Sequence, residues 1–144
     1  MKKVLFACAL FVSVSSFANE TPVSEKALKA FETTFADAQN VVWTDAENVY
    51  TVTFTQQGIS TFVRYDDQGN FLTSRRYYQP SKLPIDIQCK ILKKFSGKTI
   101  FGVTEYTIGD DVSYFVKLED ADSWTSIKVN NARDIEVMDK YKKQ

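Results

Sequence analysis

The sequence predicts an α+β fold, a tandem repeat of one helix followed by a four-stranded antiparallel sheet, with the helices on one face of the sheet. Three observations predict it. From Val49 to Phe71 the chain alternates apolar and polar residues in two runs, Val49 to Thr55 and Ile59 to Tyr65. Gln56-Gln57-Gly58 and Asp66-Asp67-Gln68-Gly69-Asn70 interrupt them, the period-two signature of half-buried strands joined by turns. The pattern then recurs, because Tyr50, Val52, Phe54, Val63, Tyr65 and Phe71 are answered 64 residues later by Tyr114, Val116, Leu118, Ile127, Val129 and Ile135. Each copy also follows an apolar stripe with helical spacing.

The chain opens with a targeting segment. Lys2-Lys3 form a basic start, Val4 to Val14 an apolar run, and Ser16-Phe17-Ala18 a small-x-small site, so residues 1–18 read as a signal peptide cleaved after Ala18. Leu5-Phe6-Ala7-Cys8 resembles a lipoprotein box, but Cys8 lies too close to Lys3 to leave an apolar core before it. The apolar run is also too short to span a bilayer, which takes about 20 residues. Removing residues 1–18 leaves 16 basic and 18 acidic residues, a net charge of −2, and Cys89 as the one cysteine. The expected exported chain, residues 19–144, therefore has no disulfide of its own and must hold together through its core. At this length it buries about two thirds of its unfolded surface.

The first helix is expected from Thr21, a cap, and Pro22, a first-turn residue, with Val23, Ala27, Leu28, Phe31 and Phe35 on one face. Val41 and Trp43 sit two apart in a short strand. The two strands of the Val49–Phe71 stretch follow, and Phe71 to Tyr78 closes the first repeat at about residue 80. Leu83-Pro84 opens a second helix with Ile87, Ile91, Leu92 and Phe95 on its apolar face, stopped by Ser96-Gly97. Strands Thr99 to Ile108, Val112 to Glu119, Trp124 to Val129 and Ile135 to Met138 complete the second repeat, residues 81–144.

Alternation assigns the two faces. The six residues of the first repeat and their six partners form the buried face, covered by the helices. The opposite parity puts Thr51, Thr53, Ser60, Phe62, Arg64, Leu72, Ser74, Arg76 and Tyr78, then Phe115, Lys117, Trp124, Ser126, Lys128, Glu136, Met138 and Lys140, on the open face. Within it Phe62, Arg64, Arg76, Tyr78, Phe115, Lys117, Trp124 and Lys128 are the candidate partner-binding residues. Aromatic and arginine side chains bury large areas with few rotors and make directional polar contacts, so they carry much of the energy of protein interfaces.

No catalytic signature stands out. The chain has no histidine, which removes His-dependent triads, Cys–His pairs and imidazole metal sites. Asp66-Asp67 and Asp110-Asp111 fall in turns, where aspartate bonds local amides. Cys89 falls at the flank of the second helical stripe and reads as a buried or half-buried thiol acting as a small apolar residue. The near-neutral charge offers no general attraction to nucleic acid, and no later segment is long and apolar enough to span a membrane.

The helix ending at Phe35, then Ala38-x-x-Val41-x-Trp43, Tyr50-x-Val52-x-Phe54, Tyr65-Asp66-x-x-Gly69-Asn70 and Leu83-Pro84-x-x-Ile87, together resemble the bacterial PepSY-like, β-lactamase-inhibitor-protein-like exported domains. The resemblance covers nearly all of residues 19–144. It implies two helix-plus-sheet units, export to the periplasm or beyond, and a non-enzymatic role in binding or inhibiting another protein through the open sheet face. The expected partner is an envelope or secreted protein, with no cofactor and no metal, and either a monomer or a homodimer. The alternative is a small-ligand or envelope-stress protein holding a peptide, glycan fragment or anion.

Overall fold

A computed structural model describes residues 23–143, so the expected signal segment and the cap expected at Thr21 and Pro22 lie outside the described residues. In chain order the elements are α1 (Glu25–Thr34), β1 (Gln39–Ala46), β2 (Val49–Gln56), β3 (Ile59–Tyr65), β4 (Phe71–Tyr78), a 3-10 turn (Pro80–Lys82), α2 (Ile85–Lys94), β5 (Thr99–Ile108), β6 (Asp111–Glu119), β7 (Ser123–Val129) and β8 (Ile135–Lys142). The described part of α1 starts after Ser24, whose hydroxyl donates to the Asp67 carbonyl (2.8 Å) instead of capping the helix.

The eight strands form a single antiparallel sheet in the order of the sequence, from β1 to β8. β4 and β5 pair from Thr73–Ile108 to Tyr78–Val103, so the sheet runs without a break across the two helix-plus-strand segments. Local turn chemistry enforces this meander. Glu47-Asn48 (φ 51° and 63°) and Gln57-Gly58 (φ 51° and 74°) close two hairpins with positive φ at both central positions, the geometry that matches strand twist. In the β3–β4 turn the Asp66 carboxylate accepts from the amides of Gln68 (2.9 Å) and Asn70 (2.8 Å) and from the Asn70 side chain (2.8 Å). These bonds hold the Asp66 carboxyl below its usual range.

Gly69 is the point where α1 rests on that turn. Its φ is 80°, and a Cβ there would stand 2.6 Å from the Lys26 carbonyl oxygen. Neither the conformation nor the space admits a side chain.

Both helices lie on one face. Under α1, Ala27 and Phe31 pack on Val52, Phe54, Val63 and Tyr65, with Trp43 and Tyr50 at the margin. Phe31 meets Phe54 and Trp43 edge-on at 5.1 and 5.4 Å between ring centres, the offset geometry aromatic pairs favour. Under α2, Ile87 and Ile91 pack on Val103, Tyr114, Val116, Leu118, Ile127 and Val129. The buried face is thus largely as the alternation predicts, with Tyr50 and Ile135 half-buried. Phe71 is the exception at 41% exposed, because it pairs with Tyr65 at the very end of the ladder beside a bulge.

Cys89 is exposed, contrary to the expectation of a buried thiol. It stands two residues from both Ile87 and Ile91. At about 100° per residue this turns it roughly 160° away from each, onto the solvent side of α2.

Candidate interaction face

Cross-strand partners share a face, so the registers list the side chains opposite the helices as rows across the sheet. One row runs Ser60, Tyr77, Thr104, Phe115, Lys128, Glu136. The next runs Thr53, Phe62, Arg75, Tyr106, Ser113. A third holds Thr51, Arg64, Thr73, Ile108 and Asp111. On the other flank Lys117 lies beside Ser126 and Asp139, and Glu119 beside Trp124 and Tyr141. Among the described residues no helix covers these rows.

Six of the eight expected binding residues stand on this face: Phe62, Arg64, Phe115, Lys117, Trp124 and Lys128. Arg76 and Tyr78 do not. The β3–β4 register slips between Arg64 and Tyr65, which pair with Thr73 and Phe71, so Leu72 is an extra residue in β4. A bulge of one residue exchanges the faces of everything after it. Arg75 and Tyr77 therefore take the open face, while Ser74, Arg76 and Tyr78 turn to the helix side. A second slip, in β8, sets Lys140 opposite Thr125 on the helix side and leaves Met138 as the bulged residue.

On the helix side Arg76 pairs with Glu105 (3.3 Å), and the Tyr78 hydroxyl donates to the same carboxylate (2.9 Å). Burial first, and then the Glu105 contact, push the Tyr78 hydroxyl well above its ordinary value. Arg76 and Glu105 with Thr61, Ser74 and Thr107 line a crevice of about 290 Å³ over β3 to β5, which Phe35, Val63 and Phe71 also wall.

The open face is ordered by cations lying on aromatic rings. The Arg75 guanidinium sits 4.9 Å from the centre of Phe62 and 5.2 Å from Tyr77. Lys117 Nζ lies 4.9 Å from Trp124 and 5.2 Å from Tyr141, and Lys128 Nζ 5.7 Å from Phe115. Each such contact contributes about 0.5–1 kcal/mol at an exposed site and fixes a long side chain that would otherwise wander. Tyr106 meets Phe115 edge-on at 5.4 Å, and Phe101, turned out by a bulge in β5, meets Trp124 at 4.9 Å.

Tyr77, Tyr106, Ile108 and Phe115 line a groove of about 550 Å³ together with the charged Asp111 and Lys128. Ile108 and Phe101 remain 64% and 59% exposed. Sequence reading missed Arg75, Tyr77, Tyr106 and Tyr141. A one-residue bulge leaves no mark in the sequence, and the run from Thr99 to Ile108 that carries Tyr106 lacks the clean alternation that assigns a face.

No protein-family model matches the chain, and no curated protein matches it at a significant level. Solved structures do. A BLIP-like protein from Bacteroides fragilis superposes with a TM-score of 0.62 at 12% identity, covering 86% of this chain and 89% of its own. A DUF2874 family protein from Bacteroides uniformis gives a TM-score of 0.58 at 17% identity, over 82% and 88%. A Bacteroides eggerthii protein provisionally assigned to the periplasm gives 0.58 at 13% identity, over 83% and 88%. At these identities the likeness shows the fold: the chain has the BLIP-like arrangement of two helices on an eight-stranded antiparallel sheet.

Proposed function

We propose that this chain is a non-enzymatic binding module of the cell envelope, exported by cleavage after Ala18 to the periplasm or beyond, that grips or inhibits another protein through its open sheet face. It is built as a duplicated helix-plus-four-strand unit, as in the PepSY-like domains. The observation that carries the reading is the set of cation–aromatic stacks on a sheet face that, among the described residues, no helix covers. Such side chains are held in place before binding, so less conformational entropy is lost when a partner arrives.

The test is capture from a periplasmic extract by the wild type and by a Trp124→Ala, Arg64→Ala double variant. A specific partner held by the first and lost by the second is the expected result. Recovery of the same proteins by both would sink the idea.

A second reading rests on the crevice over β3 to β5, where Arg76, Glu105 and several hydroxyls converge. It makes the chain a receptor for a small peptide, glycan fragment or anion. A thermal-shift panel separates the two, since a ligand at 100 times its dissociation constant adds about 2.7 kcal/mol. Arg76→Ala would abolish the shift only on this second reading.

A further inference from the structure

We propose that the open face receives an acidic segment of its partner protein, with Arg75 and Lys128 each taking one side-chain carboxylate. The inference rests on the protein-binding reading above and names the chemistry of the partner.

Arg75 is the centre of the argument. Phe62 and Tyr77 flank its guanidinium, and its Nε is buried without a hydrogen-bond partner. Ion pairs elsewhere join Arg76 to Glu105, Lys98 to Asp120, Arg133 to Asp86 and Lys143 to Glu119. Among the described residues, none reaches Arg64, Arg75, Lys117 or Lys128. With Nε itself buried, the outer Nη–H groups of the stacked guanidinium are the ones an arriving carboxylate meets edge-on, close enough to Nε for its N–H to report the contact.

The charge pattern points the same way. On the open face β2, β3, β4 and β5 present Arg64 and Arg75 and no carboxylate, only threonine, serine, tyrosine and apolar residues beside them. The acids of this face, Asp111, Glu119, Glu136 and Asp139, all belong to β6 and β8, and Glu119 is already engaged by Lys143 (2.6 Å). An acidic partner therefore meets complementary potential over β2 to β5, around Arg75. Lys128 on β7, by contrast, has Glu136 opposite it and is marked as the second anchor by its place on Phe115 and by having no ion-pair partner among the described residues.

Spacing separates a carboxylate-bearing segment from a phosphate. Arg64, Arg75, Lys117 and Lys128 stand singly on β3, β4, β6 and β7, whereas one multiply charged phosphate needs donors converging on a point. Arg75 on β4 and Lys128 on β7 are three strands apart, roughly 15 Å at about 4.8 Å per step. That is the span of about four to five extended residues. The groove walled by Tyr77, Tyr106 and Phe115 lies between them, so the fitting segment has a carboxylate at each end and an apolar side chain in the middle.

The probe is the blocked peptide Glu-Ser-Phe-Ser-Glu, titrated to millimolar concentration into the 15N-labelled protein and followed by NMR. The Arg75 Nε–H signal and the Lys128 amide move, and the glutamine version of the peptide binds at least about tenfold more weakly. Arg75→Gln and Lys128→Gln each weaken binding by a similar factor while keeping the dispersed spectrum of a folded sheet, and added salt weakens it further. The idea is overturned if the glutamine peptide binds equally well or if Arg75 does not respond. It also falls if inorganic phosphate or phosphatidylglycerol vesicles shift the same signals as strongly. Partner capture lost in Trp124→Ala but indifferent to Arg75→Gln and Lys128→Gln would leave the protein-binding reading standing and remove this one.

Discussion

Gly69 and Asp120 show how much of the fold hangs on single residues in turns. At Gly69 the left-handed backbone and the Lys26 carbonyl at 2.6 Å from a built Cβ act together, so Gly69→Ala must both strain the turn and push α1 off it. The expected cost is about 2 kcal/mol or more in urea denaturation. Gly58→Ala, with φ of 74° and nothing within 4 Å, should cost only about 1 kcal/mol.

Asp120 pins the β6–β7 turn to the start of β5. Lys98 most of all, opposed by burial and helped by Ser123 and nearby amides, holds its carboxyl below its ordinary value of 3.8. A carboxyl depressed in the folded state binds fewer protons there than in the unfolded chain. Its stabilisation is therefore complete above the unfolded value and fades as pH falls below about 4. Asp120→Asn should lower stability at neutral pH and flatten its pH dependence in that acid range, as read by thermal melts across pH.

At the scale of the element, α2 separates buried from exposed apolar residues cleanly. Ile91 is fully buried and Leu92, its neighbour, is 46% exposed. Ile91→Ala should cost about 2–5 kcal/mol, Leu92→Ala less than about 1 kcal/mol, and equal losses in paired denaturation curves would mean the helix docks differently. The sequence was legible wherever alternation ran unbroken. β6 and β7 carry Tyr114, Val116 and Leu118 against Ile127 and Val129 without a slip in their pairing, and their faces came out as read. β4 failed because Phe71-Leu72-Thr73-Ser74-Arg75-Arg76-Tyr77-Tyr78 runs in like pairs rather than alternating, so nothing local fixes which parity faces the core or marks Leu72 as the inserted residue. Arg76 and Tyr78 were misplaced for that reason, and Arg75 was overlooked.

Across the whole molecule, a continuous hydrogen-bonded sheet joins two separate apolar clusters, divided on the helix side by the Arg76–Glu105 seam. The backbone couples the halves more tightly than their side chains do. Phe31→Ala, which removes a ring packed on Phe35, Trp43 and Phe54, should cost about 3–5 kcal/mol. It should strip amide protection from β1 to β3 before β6 and β7 in native-state hydrogen exchange. Simultaneous loss would show that the sheet alone enforces cooperativity.

The order of the strands also governs how the chain folds. Every strand pairs with its neighbour in sequence, so the entropy of loop closure stays small at every step except β4–β5, which must close across the 3-10 turn and α2. A chain delivered from its N-terminus can complete each ladder as the next strand arrives. The last of the described strands, β8, is also an outer edge of the described sheet, and the bulge at Met138 interrupts its pairing rim. That irregularity makes β8 a poor template for a stray strand from another chain while the sheet is being finished.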